Sequence, residues 1–262
     1  IMRIRRNYVR DSKHGGYGKI SAGRAFEVSS NVGIVKLIYE NYKDNPQKFI
    51  DGLDRMNLNE QLGISIKGEG KPSIPRPGDK SWSAISLPWM AYGYGSIQIT
   101  PLQTLTFYNA IANNGVMVKP RFIKEIKEWD KVIVKNELEV INPKIASQET
   151  VDKVQAMLKN VVEKGTAKSL YSPNFSMAGK TGTAQTEYWK EGWASNRQYI
   201  SSFVGYFPAE DPKYTSIVII HKPNNKKGYF GADVSGPVFK RIAQKIYTDT
   251  PMEDEIESLD IE

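Results

Sequence analysis

The chain has 262 residues, 40% hydrophobic and 11% aromatic, with 36 basic side chains against 29 acidic ones and a formal net charge of +7. That length supports one sizeable domain with a real core, and the composition excludes a disordered or low-complexity chain. With no cysteine, thiol catalysis, disulfides and thiolate metal sites are excluded. The basic excess could serve an anionic partner but reads more readily as a solvated surface, since no block of like charge resembles a nucleic-acid-binding arm.

In chain order, residues 15–23, GGYGKISAG, form a glycine-rich approach to an apolar stretch. Val32, Val35, Leu37 and Ile38 then fall near helical spacing, and the Ser-Ser-Asn before them suits a helix start. Phe49, Ile50, Leu53 and Met56 predict a short helix over 46–57. Residues 63–88, rich in Gly, Pro, Ser and Lys, predict a long irregular segment of the functional-loop kind. Thr100 caps the next helix, Pro101 suits its first turn, and Asn113-Asn114-Gly115 stops it. Its expected apolar face is Leu102, Leu105, Tyr108, Ile111 and Ala112.

Residues 121–134 alternate well enough for a small hairpin or strand pair. A helix from Ser147 to Gly165 carries Val151, Val154, Met157, Leu158, Val161 and Val162 at spacings of three and four. Strands follow at 175–185, 199–207 and 214–220, the last two joined by the turn PAEDPK. A final helix over about 236–247 carries Val238, Phe239, Ile242 and Ile246, ahead of an acidic tail expected to be loose over 251–262. Helices first, then antiparallel strands, then a closing helix predict an α+β domain: an antiparallel sheet flanked by helices over residues 1–250.

Several chemistries lack their motifs. His14 and His221 are the two histidines, without metal-ligand spacing, and there is no G-x-S-x-G, H-E-x-x-H or P-loop. No apolar run approaches the roughly 20 residues of a membrane span. No signal peptide is visible, and the opening IMRIRRNYVR reads as part of a longer chain.

The most informative segment is Lys180-Thr181-Gly182-Thr183-Ala184-Gln185. Lys180 supplies positive charge and can hold a neighbouring hydroxyl. Thr181 and Thr183 offer hydroxyls to a carboxylate, and Gly182 lets a ligand approach the backbone. Taken alone, the triplet is equally a turn in an ordinary strand. Ser29-Ser30-Asn31, taken alone, reads first as a helix cap, although Ser29 could pass a proton and Asn31 could hold a substrate amide.

Together the two triplets are more specific, because S-x-x-K, Ser-x-Asn and K-T-G form the active-site set of penicillin-binding proteins and class A β-lactamases. The segments GYGSIQITPLQTLTFYNAIANNGVMVKP, VVEKGTAKSL with MAGKTGTAQ, SSFVGYFP and GPVFKRIAQKIY resemble, in order, the transpeptidase domain of class B penicillin-binding proteins. The resemblance runs from about Gly15 to Tyr247. It implies the penicillin-binding, serine β-lactamase-like fold and a D,D-transpeptidase that cross-links peptidoglycan stem peptides and is acylated by β-lactam antibiotics. It further implies no metal or organic cofactor, no nucleic acid, other cell-wall synthesis proteins as partners, and placement on the extracytoplasmic face of a membrane through an N-terminal anchor outside these residues.

By the same resemblance Ser29 relays a proton to the leaving nitrogen and Asn31 holds the acyl-side amide. Lys180 positions Ser29. Thr181 and Thr183, with Gly182 between them, take the substrate carboxylate, and the Thr183 N–H is an oxyanion donor. One departure stands out: no serine here has lysine three residues later. Ser21, followed by Arg24, comes nearest, and 28 residues precede Ser29. The nucleophilic serine is therefore expected outside this chain, which is expected to be inactive alone. A serine β-lactamase, for which no water-activating motif appears, and a penicillin-sensing receptor domain remain as alternatives. Tyr92 and Tyr94 read as structural. Tyr188, Trp189 and Trp193 read either as a groove lining or as a loop packed on its own domain.

Overall fold

A computed structural model describes residues 1–95, 97–187, 190–192 and 195–249. The tail over 251–262 and the aromatics Tyr188, Trp189 and Trp193 lie outside the described residues. Strands β1 (Met2–Ile4) and β2 (Asn7–Val9) pair as a small hairpin, followed by α1 (Ala22–Glu27), α2 (Asn31–Tyr42) and α3 (Gln47–Arg55). After a long irregular stretch come α4 (Ser86–Met90) and α5 (Pro101–Ala112). Strand β3 (Met117–Val118) pairs with β6 (Val140–Asn142), and between them projects the hairpin of β4 (Glu125–Glu128) and β5 (Lys131–Lys135). Helix α6 (Gln148–Lys164) and a 3₁₀ turn (Lys168–Leu170) lead into β7 (Ala178–Thr186), β8 (Gln198–Phe207), β9 (Tyr214–His221) and α7 (Ser235–Asp249).

The last three strands form one antiparallel sheet with β8 in the middle. Side chains alternate along a strand, so β8 serves two cores. Phe203 and Phe207 face Phe239 and Ala243 of α7 together with Val161 and Val162 of α6. Tyr206 joins Ala110, Ile111 and Ala112 of α5, Met117 and Leu158. Helices α5 and α7 thus cover the sheet while α6 packs along β7. This is the α+β arrangement that the order of elements predicts.

The local signals explain most of the helices. Thr100 accepts from the Gln103 N–H at 3.1 Å while its own N–H donates to the Gln103 side chain at 2.9 Å, a capping box. The buried face of α5 is turned from the expected one: Gln103, Thr106, Ala110 and Ile111 are buried, whereas Leu102 and Leu105 are half-exposed. Two polar residues tolerate burial because the Gln103 amide donates to the Glu60 carbonyl at 2.6 Å and Thr106 to the Leu102 carbonyl at 2.8 Å. In α7, Phe239 and Ala243 carry the buried stripe and Val238 and Ile242 face outward.

The shortest elements were not foreseen. Strands of two or three residues carry no readable period, and α1 is six residues long. The hairpin expected over 121–134 runs from 125 to 135. The stretch expected to be irregular over 63–88 gives way to α4 at Ser86 and is pinned before it, since Glu69 accepts from the Leu62, Gly63 and Ile64 N–H groups and Arg76 makes two 2.8 Å bonds to Asp54.

Phe239, fully buried between α7 and β8, and Trp129, 94% exposed at the hairpin tip, set the two ends of the packing scale. Phe239→Ala should cost about 3–5 kcal/mol of stability. Trp129→Ala should stay within about 0.5 kcal/mol. Urea unfolding of the two variants checks the contrast.

Candidate active site

The Ser29-Ser30-Asn31 triplet is a helix-to-helix junction in which each residue has a separate task. The Ser29 N–H donates to the Phe26 carbonyl at 3.1 Å and the Ser30 N–H to the Ala25 carbonyl at 2.8 Å. Those two bonds close α1 in a Schellman arrangement, with Ser29 at the position usually held by a left-handed glycine. Its φ is +53°, a conformation that costs a side-chain-bearing residue about 1–2 kcal/mol. Ser30 is the cap of α2, its hydroxyl accepting from the Gly33 N–H at 3.0 Å and donating to Asp11 at 2.9 Å. Capping therefore falls to Ser30, and the Ser29 hydroxyl is free for other work.

That hydroxyl accepts from the Lys180 amine at 2.9 Å, across 151 residues of sequence. The amine also donates to the Thr181 carbonyl at 3.2 Å and lies 5.8 Å from the centre of the Phe26 ring. None of these partners is a carboxylate, so burial dominates and lowers the Lys180 pKa from 10.5 to about 8. At neutral pH the group is mainly an ammonium. Because Ser29 accepts from it, the Ser29 proton remains available to a third group.

Strand β7 presents the rest. Thr181 and Thr166 share a hydroxyl–hydroxyl bond of 2.8 Å. The Thr183 hydroxyl accepts from the Gly231 N–H at 3.0 Å, which leaves its own proton to donate. At Gly182 a Cβ would collide with the Ser202 hydroxyl on the paired strand, and Gly231 lies against the Gly182 backbone. A side chain at Gly182 would require the Ser202 hydroxyl to turn away. Among the described residues β7 pairs on one side only, with β8. On its open side the Gln185 N–H donates to the Tyr94 hydroxyl at 3.0 Å. Alternate N–H groups of a strand point the same way, so the Thr183 N–H also faces the open edge.

Ser29 and Lys180 therefore meet where the α1–α2 junction reaches β7, and Thr181 and Thr183 follow Lys180 along the same strand, held by Thr166 and the Gly231 N–H. Asn31, at the first position of α2, is turned elsewhere: its amide donates to the Arg10 carbonyl at 3.0 Å. Two residues here were given no part in the site by the sequence. Thr166 lies in VVEKGTAKSL, quoted for its resemblance alone, and Tyr94 reads as structural. Tyr94 packs on Trp89 and Tyr92 while its hydroxyl meets the β7 edge.

Two outcomes follow. Glycine suits the left-handed position, so Ser29→Gly should be about 1 kcal/mol more stable than Ser29→Ala by denaturant unfolding, although both remove the hydroxyl. For Lys180, the folded chain releases its proton near pH 8, below the ordinary value of 10.5. Between those values the unfolded state binds more protons, so this group makes stability rise with pH; below about 8 the full penalty of the buried charge applies. Lys180→Met should flatten that rise in unfolding curves taken at pH 7 to 10.5.

The model of the penicillin-binding protein transpeptidase domain matches residues 4–244. Stage V sporulation protein D of Bacillus subtilis is 30% identical over 233 residues, 88% of this chain and 34% of that protein. Penicillin-binding protein PbpB of Mycolicibacterium smegmatis is 29% identical, over 90% of this chain and 36% of its own length. The chain thus spans about a third of the length of these curated relatives. Among solved structures, penicillin-binding protein 3 of Mycobacterium tuberculosis superposes with a TM-score of 0.70 at 28% identity, over 88% of this chain and 52% of that one. A second structure of that protein, complexed with aztreonam, gives 0.70 at 29% identity with the same coverage. With its fold, its two motifs and a family match over nearly all its length, the chain belongs to the penicillin-binding protein transpeptidases of class B.

Proposed function

We propose that residues 1–250 supply the second and third motifs of a peptidoglycan D,D-transpeptidase centre, to which an S-x-x-K motif outside these residues supplies the nucleophile. The carrying observation is the 2.9 Å bond from the Lys180 amine to the Ser29 hydroxyl. It joins the two motifs and leaves the Ser29 proton free for transfer. The curated relatives include proteins named peptidoglycan D,D-transpeptidases, such as that of Buchnera aphidicola, 27% identical over 87% of this chain.

In this reading the nucleophilic serine attacks the carbonyl of a D-Ala-D-Ala bond. The carbon–nitrogen bond breaks, Ser29 delivers a proton to the departing amine and regains the one given up by the nucleophile, and an ester to the serine remains. The amine of a second stem peptide then attacks the ester and restores the serine hydroxyl. Lys180 holds Ser29 and stabilises developing negative charge. Thr181 and Thr183 donate to the terminal carboxylate, and Asn31 holds the acyl-side amide after exchanging its bond to Arg10. The Thr183 N–H donates to the oxyanion, a contribution typically worth about 2.7–4 kcal/mol. The open edge of β7 offers an extended peptide a strand to lie beside. β-Lactams occupy the same place and leave an acyl-serine. The site works on the outer face of the membrane, among other cell-wall synthesis proteins, and needs no cofactor.

The 262 residues alone should take no covalent label from a fluorescent penicillin. The protein carrying them together with the S-x-x-K motif should be labelled. In that protein Ser29→Ala and Lys180→Ala should each slow acylation by about 10²–10⁴, the range for an acid–base group. Labelling at an unchanged rate in both variants would contradict the reading, and rapid release of hydrolysed drug would make the protein a β-lactamase.

A further inference from the structure

We propose that Thr166 is a positioning residue for the carboxylate subsite, its hydroxyl donating to Thr181 and so turning the Thr181 proton toward the bound anion. The inference rests on the function proposed above and adds a residue outside both motifs.

The argument begins with proton supply. Each threonine hydroxyl has one proton and two acceptor lone pairs. The Thr166–Thr181 bond of 2.8 Å uses one of the two protons and leaves one over. A carboxylate accepts only. When it binds at Thr181 it draws the Thr181 proton, and the Thr181 oxygen is then satisfied by the proton of Thr166. Without the Thr166 hydroxyl, Thr181 loses the donor that fixes this direction.

Thr166 is also held in place more firmly than a loop residue requires. Its N–H donates to the Glu27 carbonyl at 3.1 Å. Gly165, beside it, lies so close to the Glu27 carbonyl and to the Val161 backbone that no Cβ fits there. The Glu27 side chain is 8% exposed, a buried carboxylate with two donors: Asn160 on α6 at 2.8 Å and Arg24 on α1 at 2.9 Å. Arg24 in turn donates to the Lys164 carbonyl at 2.9 Å, at the end of α6. The end of α1 is thereby clamped to the end of α6, two residues from Ser29. Thr166 hands that fixed point on to β7. It forms a second link between the serine junction and the strand, independent of the Lys180 bond.

The test uses the protein that carries the S-x-x-K motif and compares acylation by benzylpenicillin with acylation by its methyl ester, which lacks the negative charge. Thr166→Val should lower the second-order rate with benzylpenicillin about tenfold, the scale of a weakened hydrogen bond to a charged group. It should leave the slower ester reaction within about twofold, and Thr166→Ser should react with both compounds as the wild type does. An equal fall with both compounds would mean a structural role and overturn the proposal. So would no fall with either, or a serine variant that behaves like valine. A wild-type protein that forms no adduct with benzylpenicillin would overturn the transpeptidase reading itself, and this inference with it.

Discussion

The arrangement of the site depends on the way α1 ends. A helix must satisfy its last carbonyls, and here the N–H groups of Ser29 and Ser30 do so by turning the chain through the left-handed region at Ser29. Glycine would make that turn with less strain. A serine in its place keeps a hydroxyl at a rigid corner, with a helix behind it and another starting at the next residue. Backbone strain of this kind persists where the surroundings over-determine it. The surroundings here are the cap of α2, the Lys180 amine and the clamp around Glu27.

Strand β7 is the other half. It carries Lys180, Thr181 and Thr183 on a backbone held at one edge by nine consecutive register pairs with β8, from Ala178 to Thr186. Its free edge keeps the Thr183 N–H unspent by the sheet. The hydroxyls on and against β7 bond the Lys180 ammonium, one another and a backbone N–H, with no carboxylate among these partners. A largely desolvated ammonium whose acceptors are a hydroxyl and a carbonyl costs stability, and it leaves positive field available to whatever negative charge arrives. The surface charge of +7 plays no part in this argument.

Much of this was legible in the sequence because the signals were local. The cap at Thr100, the valine and leucine spacing of α6 and the strand over 199–207 each follow from residues within one element. The two motifs were legible as a resemblance, and the structure adds that Ser29 and Lys180 touch. What stayed hidden was relational. Only the packed fold shows that Ser30, and not Ser29, takes the capping bond, or that Gly182 lies against the Ser202 hydroxyl. The buried face of α5 could not be read because Gln103 and Thr106 hide their polarity in bonds to distant or preceding carbonyls. Thr166 and Glu27 carry no motif, and their meaning comes from α1, α6 and β7 meeting.

The central claim is that Ser29 and Lys180 act as one unit. A double-mutant cycle on the acylation rate tests it most directly, in the protein that includes the nucleophile, with Ser29→Ala, Lys180→Ala and the pair combined. The account predicts strong non-additivity: once either partner is gone, removing the other should change the rate by about twofold or less. Losses that multiply would show two independent contributions and contradict the claim, leaving the 2.9 Å bond as a feature of packing alone.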